Sequence, residues 1–374
     1  MSKTLVRMAL TAAFIAVRVS SAHAQTPSST AAPATPAPPP PSIAVGAVVF
    51  YDYTFAVAPT ATDAAGQEFH PNGFNVARTY LNVTGRLSPI VSFRITPDIT
   101  RTSNSGGTTD GSLTVRLKYG YAQFDLAQFT GGWSGTWIRA GMQQTPFLDG
   151  QEAVYRYRFQ GQPFAERDGG LSSADTGIAA HTDLPGGYGD VHAGVYNGEG
   201  YTRAEVNGQK AFMVRATVRP RPEGGSLLQG LRLTAYVHRD HVMRGAERHR
   251  YIGSVWYEHA RLNAGVDYMT RDDRARPDAD LVESDGFSFF VTPFLGTKGD
   301  GFEVLLRYDN FRTDTRLADT RNERTIAGLA YWMPRAGSRA TAALLLNLET
   351  QRYRNDPGER PTDRRVIVHG LINF

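Results

Sequence analysis

The chain has 374 residues, of which 41% are hydrophobic and 20% charged, and its formal net charge of +4 is small for its length. No run of about 18 apolar residues follows the N-terminal segment, which excludes membrane-spanning helices, and the absence of cysteine excludes disulfides and thiolate metal sites. The basic residues are dispersed, so nucleic acid is not an expected partner.

The N-terminus has the pattern of an export signal. Residues 1–24 begin with the basic residues Lys3 and Arg7, continue with an apolar stretch and end in Ala-His-Ala, which is an A-x-A cleavage site. Residues 25–42 are rich in proline, which keeps a chain extended and solvated. We therefore predict a signal peptide over residues 1–24 and a periplasmic linker over residues 25–42.

The remainder, residues 43–374, repeats segments of about ten residues with alternating polarity, each followed by a connection. Leu233 and Ala235, for example, alternate with Arg232 and Thr234. Successive side chains of a strand point to opposite faces, so each segment has one apolar and one polar face. The pattern predicts an all-β fold, an antiparallel barrel of about 16 strands. The predicted strands are 43–55, 74–87, 91–101, 112–126, 136–144, 173–184, 188–197, 210–219, 231–239, 248–258, 261–271, 284–294, 301–311, 324–333, 338–353 and 363–374.

The lengths of the connections alternate. Those after odd-numbered strands are mostly long, namely 56–73, 102–111, 145–172, 198–209, 272–283, 312–323 and 354–362. Those after even-numbered strands are mostly short, namely 88–90, 185–187, 259–260, 295–300 and 334–337, although 127–135 and 220–230 are longer. Transmembrane barrels have short periplasmic turns and long external loops, whereas a soluble lectin-like sandwich has no reason to alternate. With the signal peptide, this alternation predicts a transmembrane barrel in the outer membrane of a Gram-negative bacterium, surrounded by lipid and lipopolysaccharide.

The last strand ends on an aromatic residue. Phe374 shares a face with Val366, Val368 and Ile372. This ending resembles the C-terminal strand that the barrel insertion machinery of outer membranes reads, in which a terminal phenylalanine is typical. The resemblance implies that this machinery is a partner through Phe374.

Three further stretches carry a family resemblance. Residues 74–88, followed by 92–95, are similar to the second and third strands of the phosphate-selective porin family, the O/P-type porins. Residues 138–147 resemble its G-Q-x-x-x-P-F segment before the third loop, and residues 193–200 its G-x-x-N-G motif. The resemblance implies a sixteen-stranded homotrimeric channel with a basic lumen and a constriction loop, although members of the family are often not selective for phosphate.

The connection 145–172 is the longest and shows little period-2 or helical order. Connections of this length are usually functional or disordered, and we expect this one to fold into the lumen and set its narrowest point. It carries four acidic and three basic residues, so it could create a transverse field instead of trapping anions. The predicted pore-lining and constriction residues are Arg139, Arg156, Arg158, Glu152, Glu166, Arg167, Arg78, Arg94, Arg116 and Lys118.

Among the residues expected to point inward, basic ones exceed acidic ones about two to one, and rings of arginine or lysine favour anions in pores. Lysine is scarce, however, and none lies in the long loop, unlike the lysine and arginine clusters of phosphate-binding family members. The sequence therefore predicts a diffusion channel for small hydrophilic solutes with a weak preference for anions such as phosphate. We expect no catalytic residue, cofactor or metal site.

Two other functions stay open. Some outer-membrane barrels are lipases or proteases that use Ser/His or Asp/His pairs, and His238, Asp240, His241 and His249 lie close together in the sequence. A surface receptor or adhesin that binds partners through its external loops is the other alternative. The loops are of moderate length, so a channel is preferred.

Overall fold

The computed structural model describes residues 41–374 except 103–107, 109, 132, 224, 226, 335–340 and 355–359. The predicted signal peptide lies outside the described residues, as does the predicted linker up to residue 40. Ser42, assigned to the linker, already belongs to the first strand.

Sixteen long antiparallel strands form one sheet in the described part of the chain, which confirms the predicted fold. They are β1 Ser42–Ala58, β2 Asn72–Arg86, β3 Val91–Arg101, β4 Leu113–Asp125, β5 Trp137–Gln144, β6 Ala174–Asp183, β7 Gly189–Tyr196, β8 Ala211–Val218, β9 Leu231–Arg239, β10 Ala246–Glu258, β11 Leu262–Asp273, β12 Val282–Pro293, β13 Gly301–Arg312, β14 Arg321–Trp332, β15 Thr341–Arg354 and β16 Asp363–Asn373. Each predicted boundary lies within three residues of the observed one.

Shorter elements lie in the connections. The helices are α1 Pro146–Tyr155 and α2 Phe164–Arg167, with single 3₁₀ turns at Ala127–Phe129, Pro185–Gly187 and Leu227–Gly230. The additional short strands are Ala61–Thr62, Glu68–Phe69 and His241–Met243. None of the helices in the described ranges is long and apolar enough to cross a membrane.

The sheet closes on itself because β1 pairs with both β2 and β16. Tyr51 lies opposite Gly370 in this seam. At its end the Ala47 N–H donates to the Phe374 carbonyl at 3.0 Å, and the Phe374 N–H donates to the Ala47 carbonyl at 3.1 Å. Closure satisfies the backbone donors and acceptors that an open edge would expose, and a sheet surrounded by lipid requires this.

Apolar side chains cover the outside of the barrel. On β15, Leu344, Leu346 and Leu348 are 39%, 53% and 60% exposed. The polar residues on either side of Leu348, Asn347 and Glu349, are buried. A soluble barrel has the reverse arrangement, with apolar residues inside. The observed one is typical of a barrel whose outer face meets hydrocarbon, as the alternating connection lengths and the signal peptide together predict.

The two ends of the barrel differ. Both termini of the sheet lie at the end that carries the short connections 87–90, 184–188 and 259–261, here called the turn end. The connections 59–71 and 145–173 lie at the opposite end, here called the loop end. The two even-numbered connections that are longer than expected each contain a 3₁₀ turn, Ala127–Phe129 and Leu227–Gly230.

We expect Leu346→Arg to destabilise the barrel by about 2–4 kcal/mol, because a charged side chain near the middle of the lipid-facing surface must leave water. The measurement is reversible urea unfolding in lipid vesicles. The control is Leu228→Arg, since Leu228 is 51% exposed in a connection and the substitution should have almost no effect there. Equal effects at the two positions would contradict the assignment of the outer face to lipid.

Candidate functional site

The connection 145–173, called the inner loop below, begins with a helix that was not predicted from the sequence. Pro146 occupies the first turn of α1, where its missing N–H costs nothing. Phe147, Val154 and Tyr155 are buried on one face, while Asp149 is exposed on the other. Apolar residues one and two turns apart are the signal that predicts such a helix. The helix ends at Arg156, whose φ of 64° is left-handed.

The buried face of α1 packs on aromatic side chains that point inward from the barrel wall. The Phe147 ring lies 5.3 Å from that of Tyr236 on β9 and 5.6 Å from that of Trp256 on β10. The Tyr155 ring lies 5.1 Å from that of Phe290 on β12. These contacts place the inner loop inside the barrel, as predicted, with its aromatic rings packed on those of β9, β10 and β12.

The remainder of the inner loop continues this apolar packing along the wall. The Phe164 ring lies 6.1 Å from that of Phe311 on β13, and the Phe159 ring lies 5.9 Å from that of Trp332 on β14. All four rings are buried. One side of the lumen is therefore filled by side chains.

Hydrogen bonds attach the inner loop to the same wall. Gln151 donates to the Asp267 carboxylate at 2.6 Å, and Asn263 donates to the Val154 carbonyl at 2.7 Å. Both wall residues are buried on β11. Buried polar groups with partners of this kind fix one position of a segment, because breaking the bond leaves an unsatisfied group.

Two ion pairs join loop arginines to buried wall carboxylates. Arg156 donates from Nη1 to both oxygens of Glu303, at 3.1 and 3.2 Å. Arg167 reaches Asp309 at 2.8 Å. Both carboxylates are fully buried on β13, so these predicted site residues attach the loop to the wall.

Arg158 instead stays within the inner loop. It pairs with Glu152 at 3.0 Å and with Glu166 at 2.7 Å. Burial lowers the pKa of Arg158, but the two carboxylates outweigh burial and the pKa is raised. These three predicted residues form one bridged cluster with a net negative charge.

The other side of the lumen carries five predicted cations on neighbouring strands, here called the cationic stripe. They are Arg78 on β2, Arg94 on β3, Arg116 and Lys118 on β4 and Arg139 on β5.

Neutral groups hold two members of the stripe. Arg94 donates to the Asn82 side-chain oxygen at 2.7 Å and to the Thr96 hydroxyl at 3.0 Å. Arg139 donates to Gln123 at 2.8 Å and to Gln144 at 3.0 Å. Amides and hydroxyls orient a guanidinium without cancelling its charge.

Two other members share the one carboxylate that contacts the stripe among the described residues. Arg78 and Arg116 reach Asp98 at 2.6 and 2.9 Å, and Asp98 is fully buried. Tyr201 enters from the connection 197–210, and its hydroxyl accepts from the same two arginines at 3.0 and 3.2 Å. Nothing in the sequence indicates this role for Tyr201, since it depends on how that connection folds.

Lys118 lies at a β-bulge of β4. Pairing shifts between Thr96 and Pro97, so that Leu117 lies opposite Pro97 and Tyr119 opposite Thr96. Proline has no N–H for the ladder and occurs in strands mainly at bulges. Lys118 is the extra residue; it is buried and donates to the Tyr80 hydroxyl at 3.1 Å.

The exposed face of α1 and the stripe carry opposite charges that act on each other. The charge of Glu152 acts on Lys118, and that of Asp149 acts on Arg139 and Arg215. A Cβ on Gly150 would lie 2.7 Å from Arg215 Nη1. The structure thus brings together the stripe and the Glu152 cluster, whereas Arg156 and Arg167 lie against the far wall.

His238 and Asp240 are not arranged as a catalytic pair. His238 Nε2 lies 3.8 Å from Asp240 Oδ2, beyond hydrogen-bond distance. Asp240 instead accepts from Arg248 Nε at 2.5 Å.

About nine-tenths of the chain is similar in fold to solved outer-membrane proteins. A trimer form of OmpT, an outer-membrane protein of Vibrio cholerae, is 11% identical, with a TM-score of 0.55 over 90% of this chain and 100% of that one. An anion-selective porin from Comamonas acidovorans is 13% identical, with a TM-score of 0.55 over 89% and 100%. The outer-membrane channel DcaP of Acinetobacter baumannii is 12% identical, with a TM-score of 0.58 over 90% and 98%.

No family model and no curated protein matches the chain. The resemblance to phosphate-selective porins is therefore not supported by a family match and stays a prediction. At these identities the solved structures show the fold alone: the chain folds as a sixteen-stranded barrel like those of outer-membrane porins.

Proposed function

We propose that this protein is an outer-membrane porin, a water-filled diffusion channel for small hydrophilic solutes with a weak preference for anions such as phosphate. A barrel of sixteen strands is wide enough to leave an aqueous channel. In this reading the inner loop narrows the lumen, and solutes pass between α1 and the cationic stripe.

The observation that carries the proposal is the charge imbalance of the stripe. Its five cations contact one carboxylate among the described residues, Asp98, and Arg94 and Arg139 are held by neutral side chains alone. On the far wall, by contrast, Arg156 and Arg167 are matched by buried carboxylates. The surplus positive charge therefore lies on the side of the lumen opposite the aromatic contacts of the inner loop.

The preference for anions is expected to be weak. Asp149 and Glu152 face the stripe from α1 and oppose its field, so small ions of both signs find a favourable side of the passage. Lys118 is the one lysine of the stripe, and strict selection of phosphate has no dense cationic cluster to support it. A transverse field orients polar solutes and admits many of them.

The test is the reversal potential of the purified protein in planar bilayers under a KCl gradient. We expect a potential whose sign gives an anion-to-cation permeability ratio modestly above one, and a conductance that phosphate, sulfate and small organic acids reduce only at high concentration. A clear cation preference would reject the anion assignment, and the absence of channels would reject the porin assignment.

We also propose that the protein is not an enzyme. Residues 1–24 direct its export to the outer membrane of a Gram-negative bacterium, and its insertion there uses Phe374. In the membrane it assembles as a homotrimer. The trimer form of the OmpT neighbour supports the last point. Hydrolysis of phospholipid or peptide by the purified protein would favour the enzyme alternative. Binding of a host or phage ligand by a protein that forms no channels would favour the receptor alternative.

A further inference from the structure

Three arginines lie side by side on the outside of the barrel at the loop end. Arg312 on β13 is directly opposite Arg321 on β14, which in turn is directly opposite Arg354 on β15. Like charges in directly opposed positions destabilise a sheet. A row of three is therefore unfavourable unless anions compensate it.

The side chains point away from the lumen. On β13 the inward positions are those of Glu303, Arg307 and Asp309, all buried, so Arg312 belongs to the outward set. Arg312 accordingly meets Asp285, which also contacts the exposed Tyr268. On β14 and β15 the same alternation places Arg321 and Arg354 on the outside.

Carboxylates compensate the row only partly. In each case the arginine Nε is the donor: Arg312 to Asp285 at 2.8 Å, Arg321 to Asp319 at 3.0 Å, and Arg354 to Glu323 at 3.1 Å. A guanidinium has five N–H donors, so each pair leaves capacity for a second acceptor.

Two more arginines extend the row. Arg352 is opposite Glu323, Arg364 is opposite Thr350, and both are exposed on the outer face. The arginine patch is defined here as Arg312, Arg321, Arg352, Arg354 and Arg364. Among the described residues, which do not include 355–359, its five arginines meet the three carboxylates named above, and this leaves an excess of two positive charges.

The patch stands at the edge of the apolar surface. Moving toward the turn end along the same strands, the outward residues are Leu306 on β13, Leu329 on β14 and Leu348 on β15, all more than 40% exposed. In a membrane this is the depth at which hydrocarbon gives way to headgroups. At the loop end of β1 and β2 the outward positions hold Tyr53 and Phe74 instead, which lie opposite each other with ring centroids 4.7 Å apart.

We propose that the arginine patch binds the phosphorylated sugar headgroup of an outer-leaflet glycolipid of the lipid A type. Arginine can hold phosphate oxygens in bidentate fashion, and three arginines on adjacent strands span about 10 Å, which suits a disaccharide with more than one phosphate. The acyl chains would lie against the leucines below. The inference rests on the proposed function in one respect, since it needs the loop end to face the outer leaflet.

The experiment measures binding of bisphosphorylated lipid A to the detergent-solubilised protein by native mass spectrometry. The test variant is R312Q/R321Q/R354Q. The control variant R203Q/R244Q/R276Q removes the same charge from exposed residues in other connections of the loop end. One basic residue near a membrane surface is worth about fivefold in binding, so the test variant should bind on the order of 100-fold more weakly. The control variant should bind as the wild type does.

Two comparison arms identify the ligand. Dephosphorylated lipid A should bind the wild type weakly. Its affinity should not exceed that of bisphosphorylated lipid A for the test variant. Inorganic phosphate at millimolar concentration should not displace the lipid; displacement would assign the patch to free phosphate and overturn the proposal. Equal binding by wild type and test variant would overturn it as well.

A second readout separates binding from a structural role. Without lipid A, the test variant should be at least as stable to heat as the wild type, because the like-charge contacts are relieved, and added lipid A should stabilise the wild type alone. A variant less stable in the absence of lipid A would show that the arginines serve the sheet and would overturn the proposal. Channel recordings on the same samples report on the porin function independently, so failure of one proposal is distinguishable from failure of the other.

Discussion

The variant Asp309→Asn should unfold at a markedly lower temperature than the wild type, with a loss of about 3–5 kcal/mol. Asp309 is fully buried and accepts from Arg307 at 2.8 and 2.9 Å, from Arg167 at 2.8 Å and from Ser288 at 2.7 Å. Asparagine leaves Arg307 inside the barrel without a neutralising charge and leaves Arg167 with Asp168 as its remaining carboxylate partner. The measurement is thermal unfolding in detergent, followed by circular dichroism.

The same variant should also loosen the inner loop. Arg167 holds its far end, and Arg307 donates to the Tyr155 hydroxyl at 3.2 Å and to the Gln162 carbonyl at 3.1 Å. We therefore expect open-channel current noise to rise. Asp278→Asn is the matched control, because Asp278 is 81% exposed in a pair with Arg276 at 3.8 Å, and exposed pairs contribute little. Similar stability of the two variants would contradict the assigned role of Asp309.

The double variant Arg94→Gln/Arg139→Gln should abolish the preference for anions. Neither arginine pairs with a carboxylate among the described residues, and glutamine can still bond Asn82 or Gln123. The variant removes two positive charges from the stripe, whereas the negative charges of Asp149 and Glu152 on α1 remain. We expect the reversal potential in a KCl gradient to fall to zero or change sign, with single-channel conductance altered less than twofold.

The control for this pair is Arg244→Gln/Arg276→Gln, which removes two charges from exposed residues in connections of the loop end. It should leave the reversal potential within error of the wild type, because exposed charges more than about 10 Å from the ion path are screened by salt. If the control and the lumenal variant shift the potential equally, selectivity does not arise at the stripe.

The barrel was predictable because it depends on a local rule. Successive side chains of a strand point to opposite faces. The alternation of apolar Leu344, Leu346 and Leu348 with polar Asn347 and Glu349 is therefore enough to assign the two faces of β15. The order of long and short connections then fixes which strands pair. Boundaries moved by up to three residues because hydrogen bonding can extend a strand beyond its last alternating residue, as at the end of β1.

The interior was predictable only in part. The inward direction of Arg94 and Arg139 follows from alternation, but their neutral partners do not. The helix α1 was missed because its apolar face contacts Tyr236 and Trp256, residues that the sequence places far away. Arg156 and Arg167 were expected along the passage, yet long-range pairing with Glu303 and Asp309 draws them to the opposite wall.

The filled side of the lumen also determines where solutes travel. With Phe147, Tyr155 and Phe164 buried against β9–β13, that side of the lumen is filled, and the proposed route for solutes lies on the side of β2–β5. The size at which neutral polymers are excluded from the channel should therefore indicate a passage much narrower than the circumference of the sheet suggests. Shortening the inner loop to widen the passage would expose the aromatic rings of the barrel wall to water. The segment that limits permeation therefore also covers the apolar part of the lumen.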